Sequence, residues 1–405
     1  MKIAQIAPII ERVPPKKYGG TERVIYTLTE ELVKMGHQVS LFASGDSQTS
    51  ASLVSVTPRS LKQTHKNAHN ADPYANNAIT ALHYGLAYKL QDQFDIIHDH
   101  HNYLTLPTAQ LSSTPVVLTM HGPFLEEVHE LYTTLTNPNI VTISQKQAQM
   151  APNGINHAGT IYHGLNMNHY PFSQKHDGYL LFVGRITLEK GVHFAIEVAR
   201  KLGLSLIIAA KLEEGFEADV AYFKRCVKPY LTDKIRWIGE TNEEERNKLM
   251  SKAMAFLHPV TWPEPFGLTL IESMACGTPV IAMDQGSIPE IIQNGKTGFV
   301  VQTVDEMVES VKKVDTISRW YCRQYALERF SGRRMAQQYV QLYSQILQNK
   351  KPTQIIPKSI SGDLLGKVIN QPYVTSKQII SYAHDIQRDL KFISSKPKLV
   401  LDLNE

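Results

Sequence analysis

Glu264 and Glu272 lie in one run, Trp262-Pro263-Glu264-Pro265-Phe266-Gly267-Leu268-Thr269-Leu270-Ile271-Glu272, with seven residues between the two carboxylates. Pro263 and Pro265 clamp the first acid in a loop, because proline fixes φ and the residue before it avoids the helical region. Gly267 then opens an amphipathic helix that carries Glu272. The amides of Phe266, Gly267 and Leu268 fall at that helix's N-terminus, where backbone donors have no intrahelical partner. A loop acid, free N–H groups and a helix-borne acid suit a polyhydroxylated anion, which is the chemistry of a nucleotide-sugar. Two surface acids are one alternative and a glycoside-hydrolase pair is another. The proline-clamped context argues against the first, and the parallel architecture described below argues against the second.

Other segments offer groups for the same ligand. Gly184-Arg185-Ile186-Thr187-Leu188-Glu189-Lys190-Gly191 joins a strand pattern to a helix pattern. A diphosphate there would meet two cations, Arg185 and Lys190, and a helix N-terminus; solvated loop charges are the alternative. Gly19-Gly20-Thr21 is a second candidate phosphate cradle, since glycine lets backbone approach closely and the following helix directs its dipole there. A tight turn with Thr21 as N-cap would read the same way. His121-Gly122 follows a strand at 116–119, so its side chain is expected at the carboxyl edge of a sheet, within reach of substrate hydroxyls. A structural histidine capping a loop is the competing reading.

His98-Asp99-His100-His101 invites a metal. Successive strand residues point in alternate directions and seldom converge on one ion, so the run reads instead as a polar strand terminus at the rim of a cleft. The chain also has no Asp-x-Asp pair. A metal-chelated diphosphate is therefore disfavoured, no metal ligand is assigned, and Arg185 and Lys190 take the charge-neutralising task.

These groups need a frame, and the chain shows two strand–helix halves. In the first, strands are expected at 3–7, 39–43, 94–97, 116–119 and 140–143, with a helix starting at the Gly19-Gly20-Thr21 turn. The segment 166–178 is polar and reads as a linker. The second half has strands at 180–183, 205–209, 235–238, 255–257, 280–283 and 298–301, separated by helices near 191–202, 218–229, 243–252, 267–276 and 305–314. Two more helices follow at 316–329 and 332–348. Such alternation builds parallel sheets covered on both faces, α/β and doubly wound. Two such domains would leave a cleft between the carboxyl ends of their strands. The expected divisions are 1–165, 166–330, a helix at 331–350 and a tail at 351–405.

Bulk properties exclude some functions. A chain of 405 residues is too long for one ordinary core. Three scattered cysteines with no Cys-x-x-Cys argue for a reducing compartment rather than a disulfide framework. The N-terminal run reads as a buried strand, not a signal peptide, and no stretch reaches transmembrane length, so a cytoplasmic location is expected. The tail carries eight basic against five acidic residues and so most of the net charge of +4. The near-neutral body makes a nucleic-acid partner unexpected. Within the tail, Ile379, Ala383, Ile386, Leu390 and Ile393 make one apolar helical stripe. It would pack on the body, form a dimer contact through 374–398, or dock on the inner face of an anionic membrane.

In combination and in order, these motifs resemble the retaining family 4 glycosyltransferases of the two-domain GT-B fold. The resemblance rests on Gly19-Gly20-Thr21-Glu22-Arg23, His121-Gly122, Gly184-Arg185 with Lys190-Gly191, and the Glu264/Glu272 run. Ala275-Cys276-Gly277-Thr278-Pro279-Val280, Gly286-Ser287-Ile288-Pro289-Glu290 and Gly295-Lys296-Thr297-Gly298-Phe299 extend it over about residues 1–345. It implies that Gly184, Arg185 and Lys190 hold the donor diphosphate, and that Gly20 and Thr21 approach it from the other domain. Glu272 would accept hydrogen bonds from ribose, and Glu264 would contact the transferred sugar. The amides of Phe266, Gly267 and Leu268 would meet its hydroxyls or the distal phosphate, and His121 would orient it. The loop Trp237-Ile238-Gly239-Glu240 would border the base, and the 332–348 helix would cross back onto the first domain. The implied co-substrate is a nucleotide diphosphate sugar, with no cofactor, and the implied acceptor a carbohydrate, a lipid-linked or a small molecule, bound near Tyr18 and residues 59–80. Ala209-Ala210-Lys211-Leu212-Glu213-Glu214 stands where many relatives carry a glycine-rich turn. A phosphorylase, a nucleotide-sugar epimerase or a non-catalytic carbohydrate-binding module would use the same frame.

Overall fold

The computed structural model describes residues 1–17, 19–64 and 72–349. The tail and its apolar stripe lie outside the described residues, as does Tyr18.

The first sheet has seven parallel strands: β1 (Lys2–Ile6), β2 (Gln38–Phe42), β3 (Ser52–Val54), β4 (Ile96–Asp99), β5 (Val116–Thr119), β6 (Asn139–Thr142) and β7 (His157–Thr160), in the order β3-β2-β1-β4-β5-β6-β7. The second has six: β8 (Leu180–Arg185), β9 (Leu206–Lys211), β10 (Ile235–Trp237), β11 (Ala255–His258), β12 (Val280–Met283) and β13 (Gly298–Val301), in the order β10-β9-β8-β11-β12-β13. Central strands such as Ile96-Ile97 and Val280-Ile281 are buried on both faces, which their continuous β-branched runs require. In each sheet the strand order reverses once, between β1 and β4 and between β8 and β11. Crevices open at the carboxyl ends of strands where the order reverses. The Gly19-Gly20 turn and His100 follow the first pair of strands; in the second pair Arg185 ends β8 and Glu264 follows β11.

Several elements depart from the periodic reading. Strands β3 and β7 were not expected; they are short edge strands in which no residue is fully buried. A helix at Pro73–Lys89 was also missed, because it buries only His83, Ala87 and Tyr88. Its start is written in the sequence all the same: the Asp72 side chain accepts from the Tyr74 amide at 2.8 Å, and Pro73 takes the first helical position. The single helix expected over 218–229 breaks into Glu217–Tyr222, a wide turn at Phe223–Val227 and a tight turn at Lys228–Tyr230, where Pro229 removes a backbone donor. The 166–178 segment is more than a linker, since Met167 and Tyr170 are buried in the second domain's core.

Helix Gly332–Gln348 crosses back to the first domain. Met335, Tyr339, Leu342 and Tyr343 bury against Ile3, Val24, Leu28 and Val39. Burial of such a side chain is worth about 1.5–3 kcal/mol. Gly332 permits the approach: a Cβ there would stand 2.3 Å from the Thr27 methyl. Among the described residues no helix is long and apolar enough to cross a membrane.

Candidate active site

One cavity of about 750 Å³ opens between the two strand-end faces, and both domains line it. Every residue expected to meet the donor phosphates, ribose or sugar lies on its wall, from Gly20, Thr21 and His121 on one side to Arg185, Lys190, Glu264 and Glu272 on the other. The base loop is split. Glu240 lines the cavity, but Trp237 and Gly239 do not. The Trp237 indole N–H donates to Ala210 O at 2.8 Å and its ring packs on Phe223, 4.5 Å between centroids, so this side chain closes the sheet edge. Gly239, at φ 77°, supplies the turn that brings Glu240 forward.

The proline-clamped loop is held from behind. The Ser287 amide donates to Glu264 O at 2.9 Å, and the Ser287 hydroxyl to Phe266 O at 3.0 Å. Gly286 must be glycine, since a Cβ would come within 2.3 Å of Glu264 O. Gly267 caps the helix Leu268–Ala275 at φ 83°. Among the described residues no hydrogen bond engages the amides of Phe266, Gly267 or Leu268, which leaves a positive helix end at the cavity wall.

The carboxylates are met by cations. Lys190 Nζ donates to Glu264 Oε2 at 2.6 Å, the Trp262 indole N–H donates to the same oxygen at 3.1 Å, and His258 Nε2 lies 3.8 Å away. Burial would raise the Glu264 carboxyl, but Lys190, His258 and the indole together hold it below the usual carboxylate range. Arg185 pairs with Glu189 at 3.5 Å, both two-fifths exposed. Glu272 is 1 % exposed, and its Oε1 accepts from Arg246 at 3.1 Å and from Arg23 and Tyr170 at 3.4 Å. Its Oε2 has no hydrogen bond among the described residues. Arg23 also reaches Glu243 at 3.4 Å, so one side chain of the first domain holds two acids of the second. The sequence motifs include Arg23 without assigning it a task, and they miss Arg246 and Tyr170. Their only sequence signal is charge or hydroxyl in otherwise amphipathic segments.

In the first domain the competing reading of Thr21 as an N-cap does not hold, since the N-cap of the helix Gly20–Lys34 is Gly19. A Cβ at Gly20 would sit 3.0 Å from the Leu268 side chain, so the glycine lets the two domains meet at the cavity. The His98–His101 run is not a cleft rim: His98, Asp99 and His100 are at most 1 % exposed. Strand alternation sends them to opposite faces. Asp99 accepts from the Tyr88 hydroxyl and the His101 ring on one face, each at 2.8 Å. His98 and His100 lie on the other, His98 against Tyr339 and Tyr343 and His100 against His98. Among the described residues no group of three His, Cys, Asp or Glu side chains could hold a metal ion.

Glu22, in the same motif as Arg23 and likewise given no task there, also lies on the cavity wall. Burial pushes its carboxyl up from the ordinary 4.5 to about 7, with Glu11 adding to the effect. The folded state thus keeps a proton that the unfolded chain loses, and stability falls as pH rises from 4.5 through about 7. Glu22→Gln is expected to flatten that loss, on the order of 3 kcal/mol, in urea denaturation compared between pH 5 and pH 8. Parallel curves for variant and parent would contradict the assignment.

Two Rossmann-like domains facing across a cavity of cations, acids and a bare helix end define the GT-B class of fold. The chain matches the family model for glycosyltransferase family 4 over residues 18–158 and that for glycosyl transferases group 1 over 170–326. It belongs to the family 4 glycosyltransferases. It is 26% identical over 333 residues to glycogen synthase of Mycobacterium tuberculosis, covering 70% of this chain and 79% of that one. In fold it is similar to sucrose-phosphate synthase of Thermosynechococcus elongatus (TM-score 0.70, 18% identity, 86% of this chain and 100% of the other). It is similar too to Anabaena HepE solved with UDP and glucose (TM-score 0.64, 18% identity, 85% and 100%).

Proposed function

We propose that this chain moves a hexosyl group from a nucleotide diphosphate sugar to a carbohydrate, lipid-linked or small-molecule acceptor, with retention at the anomeric carbon. The observation that carries the reading is the shared cavity, where Arg185, Lys190, the Gly267 helix end and Glu264 converge opposite Gly20, Thr21 and His121. The diphosphate displaces the exposed Arg185–Glu189 pair at little cost, since such pairs are worth about 0–1 kcal/mol. Lys190 has three N–H donors, so it serves a phosphate oxygen while keeping Glu264. Glu264 positions the sugar, and Glu272 offers Oε2 to a ribose hydroxyl.

In the reaction the bond from the anomeric carbon to the diphosphate oxygen breaks, and one to the acceptor oxygen forms on the same face. The acceptor's proton passes to the leaving phosphate oxygen, so no protein base is required. Negative charge grows on that phosphate, where fixed cations and helix dipoles stabilise the transition state most. With no Asp-x-Asp pair in the chain, Arg185 and Lys190 supply the neutralising charge without a metal. Among donors we favour UDP-sugars over GDP-sugars, in keeping with the UDP and glucose bound by Anabaena HepE.

A thermal-shift panel of UDP-, GDP- and ADP-sugars tests this. A ligand at a hundred times its Kd stabilises by about 2.7 kcal/mol, so one donor class should raise Tm by several degrees. No shift with any sugar nucleotide would sink the proposal.

A further inference from the structure

The first domain carries a line of buried polar side chains that ends at the cavity. Gln5 on β1 neighbours His98 on β4 by sheet register. Gln5 Oε1 lies 2.8 Å from His100 Nε2, and His100 Nδ1 lies 2.9 Å from His121 Nε2. An amide oxygen only accepts, so His100 Nε2 carries the hydrogen. Burial holds His100 well below the ordinary imidazole range, so the ring is neutral and its Nδ1 is a bare lone pair. His121 Nε2 must therefore be the N–H. Burial pushes His121 down to about 3, so this ring too is neutral and its Nδ1 is an acceptor. That Nδ1 is shielded from solvent and has no hydrogen-bond partner among the described residues. A buried polar atom left unpaired is destabilising, and a ligand donor at the cavity wall would relieve it.

The line continues to the crossing helix. Tyr343, on the crossing helix, places its hydroxyl 2.6 Å from His98 Nδ1, and His98 Nε2 meets Thr119 Oγ1 at 2.7 Å. Thr119 Oγ1 in turn lies 2.8 Å from the Tyr339 hydroxyl. Gln5 Nε2 donates to Tyr343 Oη at 3.4 Å and lies 3.3 Å from His98 Nδ1, so its Oε1 is the end that faces His100.

We propose that Gln5 and His100 are positioning residues that fix His121 as its Nε2–H tautomer, so that its Nδ1 lone pair accepts a hydrogen bond from one hydroxyl of the bound sugar. The inference rests on the sugar-donor reading above and adds to it a basis for donor specificity. A site built to pair a substrate hydroxyl rejects the analogue that lacks it, because its own polar group is then stranded.

Long-range proton–nitrogen NMR of the histidine rings in the full chain at pH 7 reads the tautomer without any turnover. His121 should show Nε2–H in the parent. It should lose that preference in His100→Leu and regain it in His100→Asn, whose amide oxygen can stand near the position of Nδ1. In transfer assays His100→Leu should lower kcat/KM by about 10- to 100-fold, the effect of one such hydrogen bond. His100→Asn should recover much of it. For one monodeoxy donor, the one lacking the recognised hydroxyl, the penalty should vanish. A charged or Nδ1–H ring in the parent, or equal losses with every monodeoxy donor, would overturn the proposal. An Nε2–H ring in a chain that turns over no sugar donor would retire the sugar-donor reading, and the hydroxyl partner with it.

Discussion

Replacing both cations, Arg185→Ala with Lys190→Ala, is expected to lower transfer by about 10³–10⁴-fold while leaving the fold intact. Removing one preorganised group that stabilises transition-state charge costs about 2.7–4 kcal/mol, or 10²–10³-fold. Two groups serving one diphosphate act as a unit, so the double loss should fall short of the product of the single ones. The single variants separate the roles. Arg185 is two-fifths exposed and bound only loosely to Glu189, so Arg185→Ala removes charge and little else. Lys190 is the ammonium on Glu264, whose side chain is 12 % exposed, so Lys190→Ala also strands a carboxylate and should misplace the sugar. Initial rates at saturating donor, with circular dichroism as the control for folding, make the comparison. Unchanged turnover in the double variant would remove the diphosphate from this end of the cavity.

Glu272→Ala is expected to cost about 3–5 kcal/mol of stability, the penalty for breaking a buried ion pair and stranding its partner. Here two partners are left. Arg23 and Arg246 have side chains 9 % and 8 % exposed, and each loses an acceptor. Arg23 keeps Glu243, so Arg246 should suffer most. Glu272→Gln retains an oxygen for one guanidinium and should lose less. Chemical denaturation at pH 7 measures both. A loss under about 1 kcal/mol would mean that the arginines relax into solvent and that Glu272 is a ligand group alone. Donor binding gives the second readout: if Oε2 holds ribose, even the glutamine variant should weaken it.

The parts of this molecule that the sequence announces are those with a local cause. Val280–Met283 is a strand because four apolar residues leave no other buried arrangement. Glu264 is in a loop because prolines flank it. The helix Glu243–Lys252 starts where Asn242 and Glu245 make a reciprocal cap. What stayed hidden depends on contacts between distant segments. Nothing near Arg23 announces Glu272, 249 positions away in the chain. Trp237 looked like part of a base loop because it precedes one, yet its indole turns back to Ala210. His98-Asp99-His100-His101 looked like one polar patch. The strand divides it between two faces: Asp99 pairs with Tyr88 and His101 on one, while His98 and His100 on the other meet Gln5, Thr119, His121 and, from the crossing helix, Tyr343. The edge strands β3 and β7 and the Pro73–Lys89 helix carry too little buried apolar surface to stand out by periodicity.

The central claim is that the cavity transfers a sugar from a nucleotide donor with retention. Proton NMR of the anomeric signal during turnover tests it most directly, using the donor that gives the largest thermal shift. An α-linked donor should give an α-linked product as the first species formed, with the free nucleotide appearing at the same rate. A β-linked first product, or a donor that stays intact in the presence of every acceptor class named above, would contradict it.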